Sequence, residues 1–313
     1  MKVGVIGVGY WGKKHVDEYS SLLHDVFVSD MDEKKLEFCK TKFGAKPVND
    51  YHEILDNEEI KIVSICTPNH THYELAVEAL NAGKNILVEK PMAMNTEDAK
   101  AIIQLADEKK LNLLVGHIFR FNNAIDKAKQ IIRNNEIGKV YTVSLRWLTL
   151  EPVFQDREIL FDLGVHPIDI IDNIFEGIAS NIFCSTRGFR QKNAEYATIN
   201  YSLTSPFSEG RILVNVELSW LDPMRERTLR IIGSKKSLEV DCVGQKVSIV
   251  DNDSREITNI ENQPNNTIRD ELEFFIESVT HKKNIMEPSP NGTVAKRVLE
   301  ILERVKNSSH DQR

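Results

Sequence analysis

The first thirty residues constrain the fold of this chain more than any other stretch. An apolar strand, Lys2 to Ile6, is followed at once by the glycine pattern G-x-G-x-x-G. In this pattern the first glycine permits a tight turn, the second lets the backbone approach a pyrophosphate, and the third lets a helix pack close to the strand. Free N–H groups at the start of that helix, predicted from Tyr10 to Leu22, meet the phosphate charge. The stretch therefore predicts a dinucleotide-binding turn formed by Gly7, Gly9, Tyr10, Trp11 and Gly12.

An acid completes this pattern. A second predicted strand, Val26 to Ser29, ends at Asp30, roughly twenty residues beyond the glycines, where an acid accepts hydrogen bonds from both hydroxyls of an adenosine ribose. A carboxylate there also repels a 2′-phosphate. Asp30 therefore predicts NAD as the cofactor and disfavours NADP.

Strands and helices keep alternating as far as residue 119, which predicts a doubly wound parallel sheet of the Rossmann type. The strand Ile60 to Cys66 leads into a loop that should face the cofactor, because ligands bind at the carboxyl ends of such strands. Asn69 in that loop either contacts the cofactor or caps the next helix. His70 and His72 lack a third ligand at a familiar spacing, so no metal site is predicted.

The pattern changes to β-rich alternation from Val140 onward. Seven such runs between Val140 and Val250 predict a large, mostly antiparallel, open-faced sheet. We therefore expect an α/β protein with a Rossmann domain at 1–119 and an α+β substrate-binding and oligomerisation domain at 120–313, whose terminal helix can pack back on the first domain. Helices would cover one face of the sheet, and the other face would join a homodimer or homotetramer.

Two stretches carry candidate chemistry. The apolar strand Asn85 to Val88 ends in Glu89-Lys90-Pro91 and would deliver a lysine to the ligand end of the first sheet. Asp162 and His166 stand four residues apart on a predicted helix and so share one face, where an acid can orient a ring whose pKa suits proton transfer. The alternative is a surface acid–histidine pair, but the apolar neighbours of these two residues argue against it.

Composition narrows the range of partners. The net charge of −7 is spread without a basic stripe, which argues against nucleic acid and favours a small-molecule partner. No run approaches the ~18 apolar residues of a membrane helix, and the N-terminus does not match a signal peptide. The four cysteines are far apart in sequence and fit no metal spacing, which favours reduced thiols in a cytoplasmic protein.

Taken together, these motifs resemble the Gfo/Idh/MocA family of oxidoreductases. The resemblance rests on the Rossmann start, on Glu89-Lys90-Pro91, and on Asp162 and His166 within Asp-Leu-Gly-Val-His, and it covers nearly the whole chain. Asn215 to Pro223 and Arg225 to Gly233 resemble the nucleotide-sugar branch, which includes UDP-N-acetylglucosamine 3-dehydrogenases. The resemblance implies an NAD-dependent dehydrogenase acting on a secondary alcohol of a sugar, of the UDP-N-acetylglucosamine type at C3.

The same resemblance implies residue roles. Lys90 would hydrogen-bond the reacting hydroxyl, His166 would take its proton as hydride leaves for the nicotinamide, and Asp162 would orient the substrate or His166. Pro91 would follow a cis peptide bond. The cofactor would be lined by Thr67, Asn69, His72, Glu89 and Lys90. Substrate or cofactor contacts, with surface salt bridges and core packing as the alternative, are predicted for Arg120, Asn122, Arg146 and Trp220.

Two other functions stay open at this point: a dehydrogenase of a free sugar or inositol, and a non-catalytic NAD-bound binding or sensor protein. Because a non-catalytic relative has no physical need for the lysine, the aspartate and the histidine together, we favour an enzyme. We expect Lys90 and His166, distant in sequence, to converge on one hydroxyl beside the nicotinamide.

Overall fold

The computed structural model describes residues 1–22, 25–154 and 157–311. The first part of the chain consists of alternating strands and helices. The strands of this part are β1 (Lys2–Ile6), β2 (Asp25–Ser29), β3 (Lys46–Pro47), β4 (Ile60–Ile65), β5 (Asn85–Val88) and β6 (Leu113–Val115). The helices that alternate with them are α1 (Tyr10–Leu22), α2 (Glu33–Phe43), α3 (His52–Leu55), α4 (His72–Asn81) and α5 (Thr96–Lys109).

These strands form a parallel sheet in the order β3-β2-β1-β4-β5-β6. The chain reverses its direction of winding between β1 and β4, and this switch point opens a crevice at the carboxyl ends of the strands. Nearly every residue of β1 and β4 is buried, as expected for strands with helices on both faces. The prediction of a doubly wound Rossmann sheet is confirmed.

Local sequence explains where the helices begin and end. The Asp32 side chain accepts the N–H of Lys34 and caps α2, which ends at Gly44 with a φ of 72° that glycine adopts without strain. The Asn95 side chain accepts the N–H of Asp98 and caps α5 in the same way. Such caps satisfy N–H groups that have no partner inside the helix, so both boundaries are set locally.

A second sheet follows. Its strands are β7 (Val140–Leu150), β8 (Ile178–Arg187), β9 (Tyr196–Ser205), β10 (Ser208–Ser219), β11 (Leu221–Gly233), β12 (Lys236–Asp241), β13 (Lys246–Asp251), β14 (Ile257–Ile260) and β15 (Ser309–Asp311). Helix α6 (Asn123–Arg133) precedes the sheet, and a π-helical turn, Leu160–Gly164, leads into α7 (Val165–Phe175) between β7 and β8.

The strand order of this sheet is β14-β13-β12-β11-β7-β10-β9-β8-β15. Its neighbours are antiparallel except for the pairs β7 with β10 and β8 with β15. A Cβ added at Gly164 would contact Leu218 and Ile199, so these core residues face the helical layer. The opposite face is polar at Asn200 and Asn215, whose side chains bond each other at 2.9 Å. The predicted mostly antiparallel sheet is confirmed.

Two more helices, α8 (Thr267–Thr280) and α9 (Gly292–Asn307), lie between β14 and β15 in the chain. The chain divides into two compact units, one of residues 1–118 and 266–297 and one of residues 119–265 and 298–313. Leu272 and Phe275 of α8 join the apolar core of the first unit. The sequence assigned all of 120–313 to the second domain, whereas residues 266–297 return to the first compact unit.

We predict that Gly12→Ala destabilises the protein, because an added Cβ would lie 1.9 Å from the Gly7 carbonyl oxygen. Relief requires α1 to move away from β1, and overpacking of this kind costs about 1–3 kcal/mol or more. Urea unfolding measures the loss. Gly9→Ala is the matched control, because a Cβ there meets no described atom within 4 Å. Equal stability of Gly12→Ala and wild type would contradict the close packing.

Candidate active site

The glycine turn lies between β1 and α1. The Gly7 N–H donates to the Ser29 carbonyl at 2.8 Å, and the φ of Gly7 is 83°. A side chain at Gly7 would strike Thr67, whereas the space beside Gly9 is open, so a ligand can approach the backbone there. Tyr10 is 70% exposed and packs edge-on against Trp11 at the helix start. This turn fits the pyrophosphate of a dinucleotide.

Asp30 is held against this turn at the end of β2. Its Oδ2 accepts the N–H of Val8 at 2.8 Å, and its Oδ1 accepts the N–H of Asp32 at 2.9 Å and the ammonium of Lys35 at 3.3 Å. A carboxylate has about four acceptor positions, so it can still accept bonds from ribose hydroxyls. The arrangement fits an adenosine ribose with free hydroxyls.

The loop after β4 is tied to the segment after β5. The His72 ring nitrogens lie 2.9 Å from the Thr67 carbonyl oxygen and 2.8 Å from the Pro91 carbonyl oxygen. Burial lowers the pKa of His72, so the neutral ring donates to one of these carbonyls. Helix α4 starts after Thr71 without a side-chain cap, so the alternative in which Asn69 caps it is wrong. Its cofactor contact stays a prediction.

Lys90 lies 8% exposed at the carboxyl end of β5, and its peptide bond to Pro91 is cis, as the resemblance implied. The adjacent Glu89 is buried, and its Oε2 accepts the N–H of Lys90 at 3.2 Å. A Cβ on Gly116 would lie 3.0 Å from that oxygen, so Gly116 is the residue that leaves room for the carboxylate. Glu89 thus supports the lysine backbone from inside the sheet.

Sequence reasoning missed His15, which holds Glu89 in place. Its Nε2 lies 3.2 Å from Oε1 of Glu89, and its Nδ1 lies 3.7 Å from Sγ of Cys66. Burial raises the pKa of the Cys66 thiol, which therefore keeps its proton, while an ionised carboxylate only accepts. The hydrogen bonds thus run from Cys66 to His15 and from His15 to Glu89. A histidine three residues beyond the last glycine of the turn is the signal that could have revealed it.

The same bonds control the charge of Glu89. Burial alone would raise the pKa of this carboxyl, but the hydrogen bond from His15 and the charge of Lys90 outweigh it, and the pKa lies below its usual value. Glu89 is therefore ionised at neutral pH inside the first compact unit.

His166 lies in the second compact unit on the first turn of α7, where it is 9% exposed. Its ring stacks on Trp147 with centroids 5.5 Å apart and an interplanar angle of 27°, and Phe119 packs edge-on against both rings. These aromatic contacts leave the imidazole little rotational freedom. The predicted apolar surroundings of His166 are thus what the structure shows.

Asp162 lies on the π-helical turn rather than on the regular helix that the sequence predicted. A π turn is wider than an α-helical turn, and the shared face of Asp162 and His166 that the sequence predicted stays a prediction. Arg157 Nη1 lies 3.8 Å from Oδ2 of Asp162. π-Helical turns occur frequently at functional sites, and the catalytic role of Asp162 stays a prediction.

Arg120 and Asn122 are held inside the second compact unit. The Arg120 side chain is 3% exposed and binds Asp169 at 2.6 Å and Asp172 at 2.7 Å. Asn122 caps α6 by accepting the N–H groups of Ala124 and Ile125. Arg120 thus forms buried ion pairs rather than surface salt bridges, Asn122 caps a helix, and the predicted substrate or cofactor contacts of both stay predictions.

Arg146 and Trp220 also have structural surroundings. Arg146 binds Glu217 at 2.9 Å and Glu226 at 2.7 Å, on the sheet face opposite to that of its strand neighbour Trp147. Trp220 is fully buried and packs edge-on against Phe154. Their predicted substrate contacts remain predictions, and the observed contacts match the alternative.

Within residues 1–22, 25–154 and 157–311, no group of three or more histidine, cysteine or acidic side chains is arranged to hold a metal ion. No helix in the described part of the chain is both long and apolar enough to cross a membrane.

The fold and the glycine turn define a dinucleotide-binding protein with a Rossmann sheet. The chain belongs to the Gfo/Idh/MocA oxidoreductase family. Residues 1–117 match the family model described as an oxidoreductase family with an NAD-binding Rossmann fold, and residues 125–239 match the GFO/IDH/MocA C-terminal domain. The prediction that the chain belongs to this family is confirmed. The prediction that it is an enzyme is confirmed with it.

Several proteins similar to this chain are dehydrogenases. UDP-N-acetylglucosamine 3-dehydrogenase from Acidithiobacillus ferrooxidans is 32% identical over 171 residues, which are 54% of this chain and 53% of the relative. Inositol 2-dehydrogenase from Salmonella paratyphi B is 28% identical over 180 residues, 55% of this chain and 53% of the relative. The chain thus spans about half the length of these curated relatives. A solved structure of the Acidithiobacillus enzyme, GnnA, superposes with a TM-score of 0.84 at 25% identity, over 99% of this chain and 97% of that chain.

We predict that Glu89→Gln lowers the free energy of unfolding near pH 7 by about 1–3 kcal/mol, because His15 loses a buried carboxylate that accepts its hydrogen bond and Lys90 loses a nearby negative charge. The folded-state pKa of Glu89 lies below its unfolded value of about 4.5, so its contribution is present above that pH and is lost as pH falls through the folded pKa. The stability gap between wild type and variant should therefore narrow in acid. Urea unfolding across pH measures it, with the exposed Glu58→Gln as control. A gap independent of pH would contradict this account.

Proposed function

We propose that the chain is an NAD-dependent oxidoreductase that transfers a hydride between nicotinamide and a secondary alcohol of a sugar. The observation that carries the proposal is Lys90, a nearly buried lysine at the carboxyl end of β5, supported by Glu89 in the sheet that also carries the glycine turn and Asp30. A lysine at the ligand end of a dinucleotide-binding sheet has a direct use in stabilising a developing alkoxide.

The residue roles follow from their chemistry. Bound nicotinamide supplies a hydride acceptor at C4. The Lys90 ammonium donates a hydrogen bond to the reacting hydroxyl, which lowers the cost of negative charge on its oxygen. His166 takes the proton, and the aromatic rings of Trp147 and Phe119 against it favour one ring orientation. Asp162 orients the substrate or His166. The proposal requires Lys90 and His166 to act on the same hydroxyl.

For the substrate we propose a nucleotide-linked sugar of the UDP-N-acetylglucosamine type, oxidised at C3. The similarity to UDP-N-acetylglucosamine 3-dehydrogenase over 54% of this chain supports this choice. A free sugar or inositol is the second candidate, supported by the inositol 2-dehydrogenase relative. A non-catalytic NAD-bound sensor is the third alternative, and it leaves the arrangement around Lys90 and His166 without a use.

We further propose that the protein works in the cytoplasm as a homodimer or homotetramer joined through its second sheet. The four cysteines are free thiols, which suits a reducing compartment. On the sheet face away from the helical layer, Phe183 and Leu213 are exposed large apolar side chains. A second copy of the chain would cover them.

The catalytic proposal predicts that Lys90→Met and His166→Asn each lower kcat by about 10²- to 10⁴-fold, because each variant removes a hydrogen-bond donor or proton acceptor from the reacting hydroxyl. Nicotinamide absorbance is followed with UDP-N-acetylglucosamine, free hexoses and myo-inositol, and product mass is followed where the cofactor is recycled. Lys100→Met, on an exposed helix surface, is the control. If no substrate reacts with wild type, and Lys90→Met binds ligand as wild type does, the enzyme proposal fails.

The cofactor proposal predicts that Asp30→Asn weakens NAD binding about tenfold and strengthens NADP binding, because an amide loses charged bonds to the ribose and no longer repels a 2′-phosphate. Dissociation constants for both dinucleotides test this. Asp32→Asn is the matched control, since it makes the same change of charge two residues away while asparagine still caps α2. An unchanged preference in Asp30→Asn would exclude Asp30 as the discriminating group.

A further inference from the structure

Arg227 interrupts the apolar face of the second sheet. On β11 it lies directly opposite Trp147 of β7, and the next residues of the same face, Leu229 and Ile231, lie opposite Leu145 and Val143. Those four aliphatic side chains are fully or almost fully buried. Residues paired across antiparallel strands point to the same side, so Arg227 extends an apolar row with a guanidinium.

Among the described residues, two backbone carbonyls and one aromatic ring contact this guanidinium. Its Nη1 donates to the carbonyl oxygens of Leu148 at 2.6 Å and Glu226 at 3.1 Å, and its Cζ lies 4.7 Å from the Trp147 ring centroid. Within the described ranges, which omit residues 23–24, 155–156 and 312–313, no carboxylate forms an ion pair with it. Burial, followed by the charge of Arg225, lowers the pKa of Arg227 to about 10.

Three other arginines of this unit do pair with acids. Arg120 binds two aspartates, Arg146 binds two glutamates, and Arg190 binds Glu195. Partly burying a cation without an anion is unfavourable. Arg227 remains charged at neutral pH, so an anion that arrives with the substrate would provide the missing partner.

The Arg227 guanidinium lies near the His166 ring. Both groups contact Trp147, whose ring centroid lies 4.7 Å from Cζ of Arg227 and 5.5 Å from the centroid of the His166 ring, so the two groups are at most about 10 Å apart. Arg225 adds a second positive charge near Arg227, while the acids whose charges act on it are Glu151 and Asp162. A substituted sugar whose hydroxyl reaches His166 can extend its substituent toward Arg227.

We propose that Arg227 forms a subsite for a phosphate or diphosphate group carried by the sugar. This inference rests on the proposed function and deepens it, because it selects charged sugars over neutral hexoses and inositols. Trp147 holds the guanidinium at a set distance from His166, and the two backbone carbonyls fix one edge, which leaves Nε and Nη2 for the oxyanion.

Kinetics of Arg227→Gln and Arg227→Lys test the subsite on matched substrates: UDP-N-acetylglucosamine, N-acetylglucosamine 1-phosphate, N-acetylglucosamine and myo-inositol. We expect Arg227→Gln to lower kcat/KM for the phosphorylated sugars by about 10- to 100-fold, mainly through KM, with neutral sugars changed less than about twofold. Arg227→Lys should lose less. A loss confined to the UDP-sugar supports a nucleotide diphosphate as the anion, and a loss shared with the 1-phosphate supports any sugar phosphate.

Arg230→Gln is the matched control, because it removes the same charge from an exposed position three residues along β11. Equal losses on charged and neutral sugars, no loss in Arg227→Gln, or the same loss in Arg230→Gln would overturn the subsite.

A binding measurement separates this inference from the proposed function. Calorimetric titration of UDP into the NAD-saturated protein should show about 10-fold or weaker affinity in Arg227→Gln than in wild type, and a smaller dependence on salt. If wild type turns over none of the four sugars, the proposed function fails, and the titration alone decides the subsite. Equal UDP affinity in wild type, Arg227→Gln and Arg227→Lys would overturn it.

Discussion

The first compact unit depends on the close approach of α1 to the end of β1. Gly12 has no room for a Cβ beside the Gly7 carbonyl, so the helix axis lies nearer the sheet than any other residue would allow. One turn later the same helix inserts His15 toward Glu89, and the next turn brings Tyr19 to the Ser64 hydroxyl at 3.0 Å. The glycine turn therefore serves two purposes, since it admits a dinucleotide and brings polar side chains to the strands that support Lys90.

In the second unit, aromatic contacts and buried ion pairs hold the polar side chains in place. Phe119 packs on the His166 ring, and the next residue, Arg120, binds Asp169 and Asp172 on the same helix. Two consecutive residues thus fix α7 at two points. Trp147 completes the arrangement by contacting both His166 and Arg227. Desolvated charges of this kind are costly unless they are compensated, which limits the positions where they can persist.

Much of the architecture was predictable because it depends on local sequence patterns. The helix predicted from Tyr10 to Leu22 begins and ends at those residues in the structure. The strand ends after β1 and β2 brought Gly7, Gly9 and Asp30 to the same turn, as expected for parallel strands. Asp162 was found as a candidate, but its π-helical turn was not predicted, because a wider turn leaves no period of its own in so short a segment.

The sequence by itself determined the class of sheet, the dinucleotide turn and the candidate lysine, since each depends on neighbours within a few residues of one another. Only the tertiary structure decided what His15 and Arg227 do. His15 meets Glu89 across 74 positions of sequence, and Arg227 faces Trp147 because of the register of two strands. Strand register and helix packing depend on the summed burial free energies of many residues, so they cannot be predicted from any single residue of the chain.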